Sequence, residues 1–321
     1  MITYCDPSVR FTGRWAQYRG AMTTTAPGAY FEIAFRGDSI RLHFDIRGNE
    51  HPRPHLFLEL DGLCRSEAPL DQWLRVDCPH GEHILRVIYK GGKEIQPRFF
   101  LPLVGKISFL GYEAEGAAVL PADNRKIIEF VGDSITEGVL IDDHLRGEGL
   151  PEQDCRPTQD DVTAGYSWLT SQALNLRDYH MGYGAVGVTK GGCGGVPKAA
   201  EAYPWCFEGA PITHRADYVV INHGANDRGN PDKYIPEYEH LLDVIRQHQP
   251  QAKILCLSAF CGVYAKPLQE MVTRYNAAHG TDVAFVDGGN WEPAEPVHPR
   301  REGHQHIARE LIPILKALWN V

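Results

Sequence analysis

Residues 126–138 read KIIEFVGDSITEG. A short apolar run that ends at Gly132 and Asp133 is typical of a buried strand followed by a turn. Ser134 then stands at the start of a helical turn, where backbone N–H groups and the helix dipole favour developing negative charge. A serine in that place is also a common helix N-cap, and this stretch by itself favours capping over catalysis.

Downstream of this stretch, strand-like and helix-like segments alternate. The strand-like segments are 178–183, 216–224, 252–260 and 283–288, and the helical ones lie near 166–176, 231–248, 266–279 and 302–318. This alternation predicts an α/β domain with three layers, in which helices cover both faces of a parallel sheet. Ligand sites in such sheets lie at the carboxyl ends of the strands.

Upstream of it, short segments alternate apolar and polar residues between turn signals. They cover 29–35, 39–46, 55–62, 73–78, 83–90 and 106–114. Short, regularly spaced strands of this kind predict an all-β antiparallel sandwich or jelly roll. The character of the chain changes near residue 121, so we predict a β-sandwich domain over 1–120 and an α/β domain over 121–321.

A glycine-rich segment, residues 181–189, follows the second strand of the α/β domain. It contains a GxGxxG pattern at Gly182, Gly184 and Gly187, which raises the possibility of a dinucleotide site. That reading fits poorly, because the pattern is outside the first strand–helix unit and continues into further glycines rather than a helix. A backbone N–H directed at an oxyanion is the alternative use of these glycines.

Two more segments carry candidate chemistry. The Asn226 amide, at the end of the strand-like segment 216–224, can donate to an oxyanion, although Asn and Asp also simply favour turns. His298 precedes the last helix and can take a proton from a serine hydroxyl, with Glu295 able to hold its other ring nitrogen. His304 and His306 lie near the start of the last helix and are expected to pack or cap there. They are not expected to share a metal ion, because residues two apart on a helix point to different faces. We therefore expect no metal.

Together, these four blocks resemble the SGNH/GDSL hydrolase superfamily. The match consists of GDS at 132–134, Gly187, GAND at 224–227 and ExxH at 295–298. The resemblance implies an SGNH-type three-layer domain and a serine acyl hydrolase without a cofactor. It also implies Ser134 as nucleophile, His298 as base, and an oxyanion hole formed by the N–H groups of Ser134 and Gly187 and the amide of Asn226.

The preceding β-rich part makes the chain similar to carbohydrate esterase family 2, which joins a jelly roll to an SGNH domain. This implies an esterase that removes O-acetyl groups from xylan- or mannan-type carbohydrates. A lipase or thioesterase remains an alternative, as does a non-catalytic carbohydrate-binding protein. The superfamily usually has Asp where Glu295 stands, so the role of Glu295 is open. Asp287 and Glu292 are weaker candidates, and some members orient the histidine through a backbone carbonyl.

Two further features are consistent with more than one role. The polar segment 141–162 is predicted to be either a substrate wall or lid, or a variable surface insertion. Trp291 is a candidate for stacking on a sugar ring, and a core position is at least as compatible with the sequence. Nothing in the sequence specifies the sugar, the acetylated position or the oligomeric state.

Composition limits the remaining possibilities. The net charge is −9, and the basic residues form no stripe, so nucleic acid and anionic membranes are not expected partners. The sequence contains no apolar stretch of about 18 residues, so no membrane-spanning helix is predicted. The eight cysteines form no CxxC pair, and no leader sequence is evident at the N-terminus. These observations predict reduced thiols and a cytoplasmic enzyme.

Overall fold

The computed structural model describes residues 1–291 and 297–321 of the chain. Its two main sheets share no strand. The first sheet contains β1 (Ile2–Thr3), β2 (Val9–Thr12), β3 (Ala16–Tyr18), β4 (Ala21–Thr24), β5 (Tyr30–Phe44), β6 (His55–Leu60), β7 (Cys64–Pro69), β8 (Trp73–Gly91), β9 (Ile107–Glu113) and β10 (Gly116–Ala117). The domain boundary at 120/121 remains a prediction, and it lies in the connection between this sheet and the next.

All pairings in this N-terminal part are antiparallel, as expected for a β-sandwich. The predicted segments 29–35 and 39–46 are one strand, β5, whose register against β8 shifts between Gly37 and Ser39. Gly37 has a φ of 142°, which a residue with a side chain rarely adopts. Such a bulge bends the strand and allows it to pair with β2 at one end and with β9 at the other.

The sandwich interior is aromatic. Phe31 stacks on Phe109 with ring centroids 4.2 Å apart, and both rings are fully buried. Alternation along the strands therefore buries one face of each strand in an apolar cluster that includes Phe44, Leu85 and Tyr112.

The C-terminal part alternates strands and helices in the predicted order. The strands are β11 (Ile127–Gly132), β12 (Arg177–Gly182), β13 (Trp205–Phe207), β14 (Ala210–Pro211), β15 (Tyr218–Asn222), β16 (Lys253–Leu257) and β17 (Ala284–Val286). The helices are α1 (Ser134–Glu137), α2 (Glu152–Gln159), α3 (Tyr166–Ala173), α4 (Ala199–Ala202), α5 (Pro231–His248), α6 (Ala265–His279) and α7 (Arg301–Trp319). Among the described residues, four short 3₁₀ turns lie at Asp143–Leu145, Val162–Ala164, Cys193–Gly195 and Ala225–Asp227.

The second sheet is parallel, in the order β12-β11-β15-β16-β17. One face packs against a cluster that includes side chains of α5 and α6, such as Leu241 and Leu268. The other face packs against side chains of α3 and α7, such as Tyr166 and Leu311. The prediction of a three-layer α/β/α domain after an all-β domain is confirmed. Among the described helices, none is both long enough and apolar enough to cross a bilayer.

The register of the sheet aligns the ends of three strands. Gly132 at the end of β11 lies opposite Gly182 on β12 and opposite Asn222 on β15. Because the strands are parallel, the loops that follow them leave from the same edge of the sheet. The predicted nucleophile turn, the glycine-rich segment and the Asn226 turn therefore meet at this edge.

A buried ion pair joins the two halves of the chain. Arg14, in the loop between β2 and β3, places its guanidinium 2.8 Å from Glu129 on β11, and both side chains are essentially inaccessible. The same guanidinium donates to the carbonyl oxygens of Tyr203 and Trp205. Burial alone would raise the pKa of Glu129, but the charges of His214 and Arg14 outweigh it and leave the pKa below its usual value.

Removing one partner of this pair should destabilise the protein strongly. We expect Arg14→Met to lower the free energy of unfolding by about 3–5 kcal/mol, because Glu129 would remain charged and buried after losing one of the two cationic partners that contact it. Urea denaturation followed by tryptophan fluorescence would measure the change.

Arg36→Met is the matched control, because Arg36 and Glu82 form an exposed pair on the same half of the chain. A surface pair of this kind contributes no more than about 1 kcal/mol. Equal losses in the two variants would show that the buried pair has no special role.

Candidate active site

Ser134 is the first residue of α1 and directly follows β11. The Asp133 carboxylate caps this turn by accepting from the Ile135 N–H at 3.0 Å. Gly132 has no room for a side chain, since a Cβ there would lie 2.1 Å from the Thr136 hydroxyl. The turn is therefore tight, and the N–H of Ser134 has no partner within its own helix.

Ser134 and His298 are in hydrogen-bond contact. The Ser134 Oγ lies 2.9 Å from His298 Nε2, although the two residues are 164 positions apart in the chain. His298 reaches this position from the loop that precedes α7. The distance and the ring nitrogen are those that a nucleophile and its general base require.

The pair faces a cavity of about 300 Å³. Its lining comes from six regions of the chain: the segment after β8, the nucleophile turn, residues 140–156 in and beside the insertion, the loop after β12, the loop after β15, and the loop before α7. The lining residues are Glu94, Asp133, Ser134, Ile135, Leu140, Glu152, Gln153, Arg156, Ala185, Cys193, Ala225, Asn226, Arg228, Val297 and His298. The insertion contains α2, and its side chains form a wall of the cavity, as one of the two sequence interpretations proposed.

The glycine-rich segment approaches the cavity at a different residue from the one predicted. The Gly187 N–H donates to the Lys190 carbonyl at 3.0 Å, and Gly187 does not line the cavity. This geometry does not place the predicted donor at the nucleophile. Ala185 lines the cavity instead, has a φ of 61°, and donates its N–H to no other described residue. A strained, unpaired backbone group of this kind is typical of a functional site.

Asn226 lies beside the nucleophile turn. Its amide nitrogen is 3.1 Å from the Asp133 carboxylate and 3.1 Å from the Val186 carbonyl. Burial raises the pKa of Asp133 to about 7, and repulsion from Asp227 contributes to the same shift. Asp133 therefore orients the Asn226 amide at the cavity wall while it caps α1.

Asp227 fixes the loop that carries Ala185. Its carboxylate accepts from the N–H groups of Val188 and Thr189 and from the Thr189 hydroxyl, at 2.7–3.2 Å. A Cβ at Gly187 would lie only 2.4 Å from this carboxylate, which explains why glycine is needed there. The glycine predicted as a donor thus serves close packing.

The third member of the triad is not assigned by the structure. Glu295, the predicted acid, and Glu292, a weaker candidate, lie outside the described residues. Asp287 is engaged elsewhere, because its carboxylate accepts from the Ser258 hydroxyl at 2.7 Å and from the Gly289 N–H at 2.9 Å. Trp291 does not line the cavity, and its ring packs against Phe260.

Burial lowers the pKa of His298, and the positive charge of Arg156 lowers it further. The negative charges of Glu94 and Glu152 act in the opposite direction, but their effect is smaller. The imidazole is therefore neutral at neutral pH, which is the form that accepts a proton.

Other parts of the molecule offer less chemistry. Within residues 1–291 and 297–321, no three His, Cys, Asp or Glu side chains form a group that could hold a metal ion. A larger cavity of about 730 Å³ lies beside residues 121–126 and the C-terminus, but none of its lining residues is a serine, cysteine or histidine.

Comparison with known proteins assigns the chain to a family. Residues 130–306, more than half of the chain, match the model of the GDSL-like Lipase/Acylhydrolase family. The chain belongs to this family. The match contains Ser134, Asn226 and His298, so this acylhydrolase carries the residues of the site within its family region. A search of curated proteins found no sequence match to it.

The fold of this acylhydrolase is similar to solved structures over nearly the whole chain. A family two carbohydrate esterase from Cellvibrio japonicus has a TM-score of 0.78 at 20% identity, covering 98% of this chain and 96% of the other. An acetyl xylan esterase from Butyrivibrio proteoclasticus has a TM-score of 0.76 at 19% identity, with coverage of 97% and 95%. A family two carbohydrate esterase from Clostridium thermocellum, solved with cellohexaose, has a TM-score of 0.75 at 21% identity, with coverage of 96% and 98%.

Loss of the Asn226 amide should slow the acylhydrolase without preventing substrate binding. We expect Asn226→Ala to lower kcat by about 10²–10³-fold and to change KM much less, because an oxyanion forms only during the reaction. Steady-state kinetics with 4-nitrophenyl acetate would measure both. An unchanged kcat would assign Asn226 to turn formation alone.

The lowered pKa of His298 predicts activity under mildly acidic conditions. As pH falls, kcat/KM should decline only below pH 6.5, because His298 becomes protonated at a lower pH than an unperturbed histidine does. Arg156→Gln should move this decline to higher pH, and Glu94→Gln should move it to lower pH. A pH profile of kcat/KM for each variant tests the signs, and shifts in the same direction would contradict the assignment.

Proposed function

We propose that the protein is a serine esterase that removes O-acetyl groups from carbohydrates of the xylan or mannan type. The observation that carries the proposal is the 2.9 Å contact between Ser134 Oγ and His298 Nε2 at a small cavity. The family assignment supports acyl hydrolysis. The full-length similarity in fold to family two carbohydrate esterases supports the acetylated sugar.

In the first half of the proposed reaction, the Ser134 oxygen attacks the acetyl carbonyl carbon while His298 Nε2 takes the hydroxyl proton. The carbonyl electrons move to oxygen, and the resulting oxyanion accepts from the Ser134 and Ala185 N–H groups and from one N–H of the Asn226 amide, in place of the Val186 carbonyl that this amide otherwise contacts. The carbon–oxygen bond to the sugar then breaks, and the imidazolium returns its proton to the sugar oxygen.

In the second half, water attacks the acetyl group on Ser134 and gives its proton to His298. The second oxyanion uses the same donors. Its collapse breaks the bond to Ser134, which regains the proton from His298, and the acetic acid that is released gives its remaining proton to water. No oxidant, metal or cofactor is needed for either half.

The size and polarity of the cavity favour a short acyl group. A volume of about 300 Å³ is small, and charged or polar side chains such as Glu94, Arg156 and Arg228 contribute to its lining. A long acyl chain would need a continuous apolar wall to offset the loss of its contact with water. The lining is therefore better matched to acetate and a polar leaving group than to a lipid.

We also propose a cytoplasmic location. All eight cysteines are free thiols, and three of them, Cys155, Cys206 and Cys256, are buried. Unpaired cysteines are typical of proteins in a reducing compartment.

Replacement of the nucleophile tests the proposed reaction. Ser134→Ala should abolish hydrolysis of 4-nitrophenyl acetate without changing the circular dichroism spectrum, because the hydroxyl makes no contact that the fold requires. Initial rates at micromolar enzyme would detect residual turnover, and full activity would refute the nucleophile.

Ser167→Ala is the matched control, since the Ser167 hydroxyl also contacts a histidine, His180, at 2.7 Å. Both of these side chains are buried away from substrate. The control should keep its activity at temperatures below its unfolding transition.

A substrate panel separates this proposal from its alternatives. Acetate release would be measured from acetylated xylo- and manno-oligosaccharides, beside 4-nitrophenyl esters of increasing chain length. Acetate release with a preference for the shortest ester supports the proposal. Faster turnover of long esters would indicate a lipase or thioesterase, and glycan binding without any hydrolysis would indicate a carbohydrate-binding protein.

A further inference from the structure

Two charged side chains in the wall of the catalytic cavity are not used by the proposed chemistry. Glu94 comes from the segment that follows β8, in the β-sandwich half of the chain, and Arg156 comes from α2 in the insertion. Both line the cavity that contains Ser134 and His298. Both are more than nine-tenths buried, with exposures of 7% for Glu94 and 2% for Arg156.

The Glu94 carboxylate is held close to the loop after β12, which carries Ala185. Its Oε2 lies 3.1 Å from Arg156 Nη1. Its Oε1 lies against Gly184, where a Cβ would be only 1.4 Å away. Gly184 is the neighbour of Ala185, so the absence of a side chain there allows an anionic acceptor to sit beside the proposed oxyanion donors.

Arg156 has a donor without an acceptor. Its Nε donates to Asp160 at 2.9 Å, and its Nη1 faces Glu94. Its Nη2 is buried and has no hydrogen-bond partner among the described residues. A buried guanidinium N–H without an acceptor is costly, so a partner supplied by the substrate would account for it.

The charges around Arg156 select the kind of partner. Glu94 and Asp160 both contact the Arg156 guanidinium, so a carboxylate or phosphate placed there would be repelled by two acidic groups. A hydroxyl group meets no such repulsion, because it donates to a carboxylate and accepts from a guanidinium. An acceptor and a donor side by side match two neighbouring hydroxyls of one sugar ring.

We propose that Glu94 and Arg156 form a subsite for adjacent hydroxyl groups of a neutral sugar, next to the acetyl ester that Ser134 attacks. One hydroxyl donates to Glu94, and its neighbour accepts from Arg156 Nη2. This subsite rests on the proposed function, because it requires a sugar ester as substrate. It gives the β-sandwich half a direct part in substrate recognition.

The test compares a sugar ester with an ester that has no sugar. The quantity measured is the ratio of kcat/KM for mono-O-acetylated methyl β-xyloside to kcat/KM for 4-nitrophenyl acetate. Glu94→Gln keeps the shape of the side chain but loses its charge and one acceptor, so we expect the ratio to fall at least tenfold. Arg156→Lys keeps the charge but loses the planar pair of donors, so we expect a fall of similar size.

Asp154→Asn is the matched control. Asp154 is on the same helix as Arg156 and contacts Lys93, the neighbour of Glu94, at 2.7 Å. This pair also joins α2 to the segment after β8, but neither residue lines the cavity. The ratio should change less than twofold, and a fall as large as in Glu94→Gln would show that contact between the two segments, not sugar recognition, is responsible.

Binding provides a readout that is independent of turnover. In the Ser134→Ala background, isothermal titration with the acetylated xyloside should give a Kd at least fivefold weaker when Glu94→Gln is added. The corresponding acetylated glucuronide should bind more weakly than the xyloside, and tighter binding would overturn the preference for a neutral sugar.

The possible failures are distinguishable. A wild-type protein that deacetylates the xyloside, with a ratio unchanged in Glu94→Gln and in Arg156→Lys, overturns the subsite and leaves the esterase proposal standing. A wild-type protein that hydrolyses 4-nitrophenyl acetate but neither binds nor deacetylates any sugar ester overturns the proposed function and the subsite with it.

Discussion

The active site depends on the register of three parallel strands. Gly132 on β11 is level with Gly182 on β12 and with Asn222 on β15, so the three following loops leave the sheet at one edge. If the pairing register of one strand shifted by one residue against its neighbour, the side chains of that strand would turn to the opposite face of the sheet. The proposed nucleophile, the proposed backbone donor and the Asn226 amide can converge only because hydrogen bonding between strands holds them level.

Buried ion pairs bring the β-sandwich to the same edge. Arg98, from the segment after β8, contacts Glu137 in the nucleophile turn, and both side chains are almost completely buried. Arg14 reaches Glu129 on β11 from another loop of the sandwich. Charges removed from water are tolerated only when they are paired, so these contacts constrain how the two halves meet. The sandwich is therefore in direct contact with the proposed active site.

The same burial sets the protonation of the reacting groups. It lowers the pKa of His298, which keeps the base neutral, and it raises the pKa of Asp133 to about 7. Both shifts have one physical cause, because a charged side chain loses more solvation than a neutral one when water is excluded. The nucleophile turn, its base and its amide donor thus share a setting in which an oxyanion interacts strongly with nearby dipoles.

The sequence by itself determined the order of strands and helices and the three-layer class of the second half, and its resemblance to a known superfamily singled out Ser134, His298 and Asn226 as a predicted set. These features are local, since apolar periodicity and short motifs report on neighbouring residues. Only the tertiary structure decided that Ala185, and not Gly187, lines the cavity, that the predicted segments 29–35 and 39–46 are one bent strand, and that Glu94 and Arg156 meet beside Ser134. Those outcomes depend on a left-handed backbone turn, a strand bulge and contacts between residues more than 50 positions apart, and no local pattern records them.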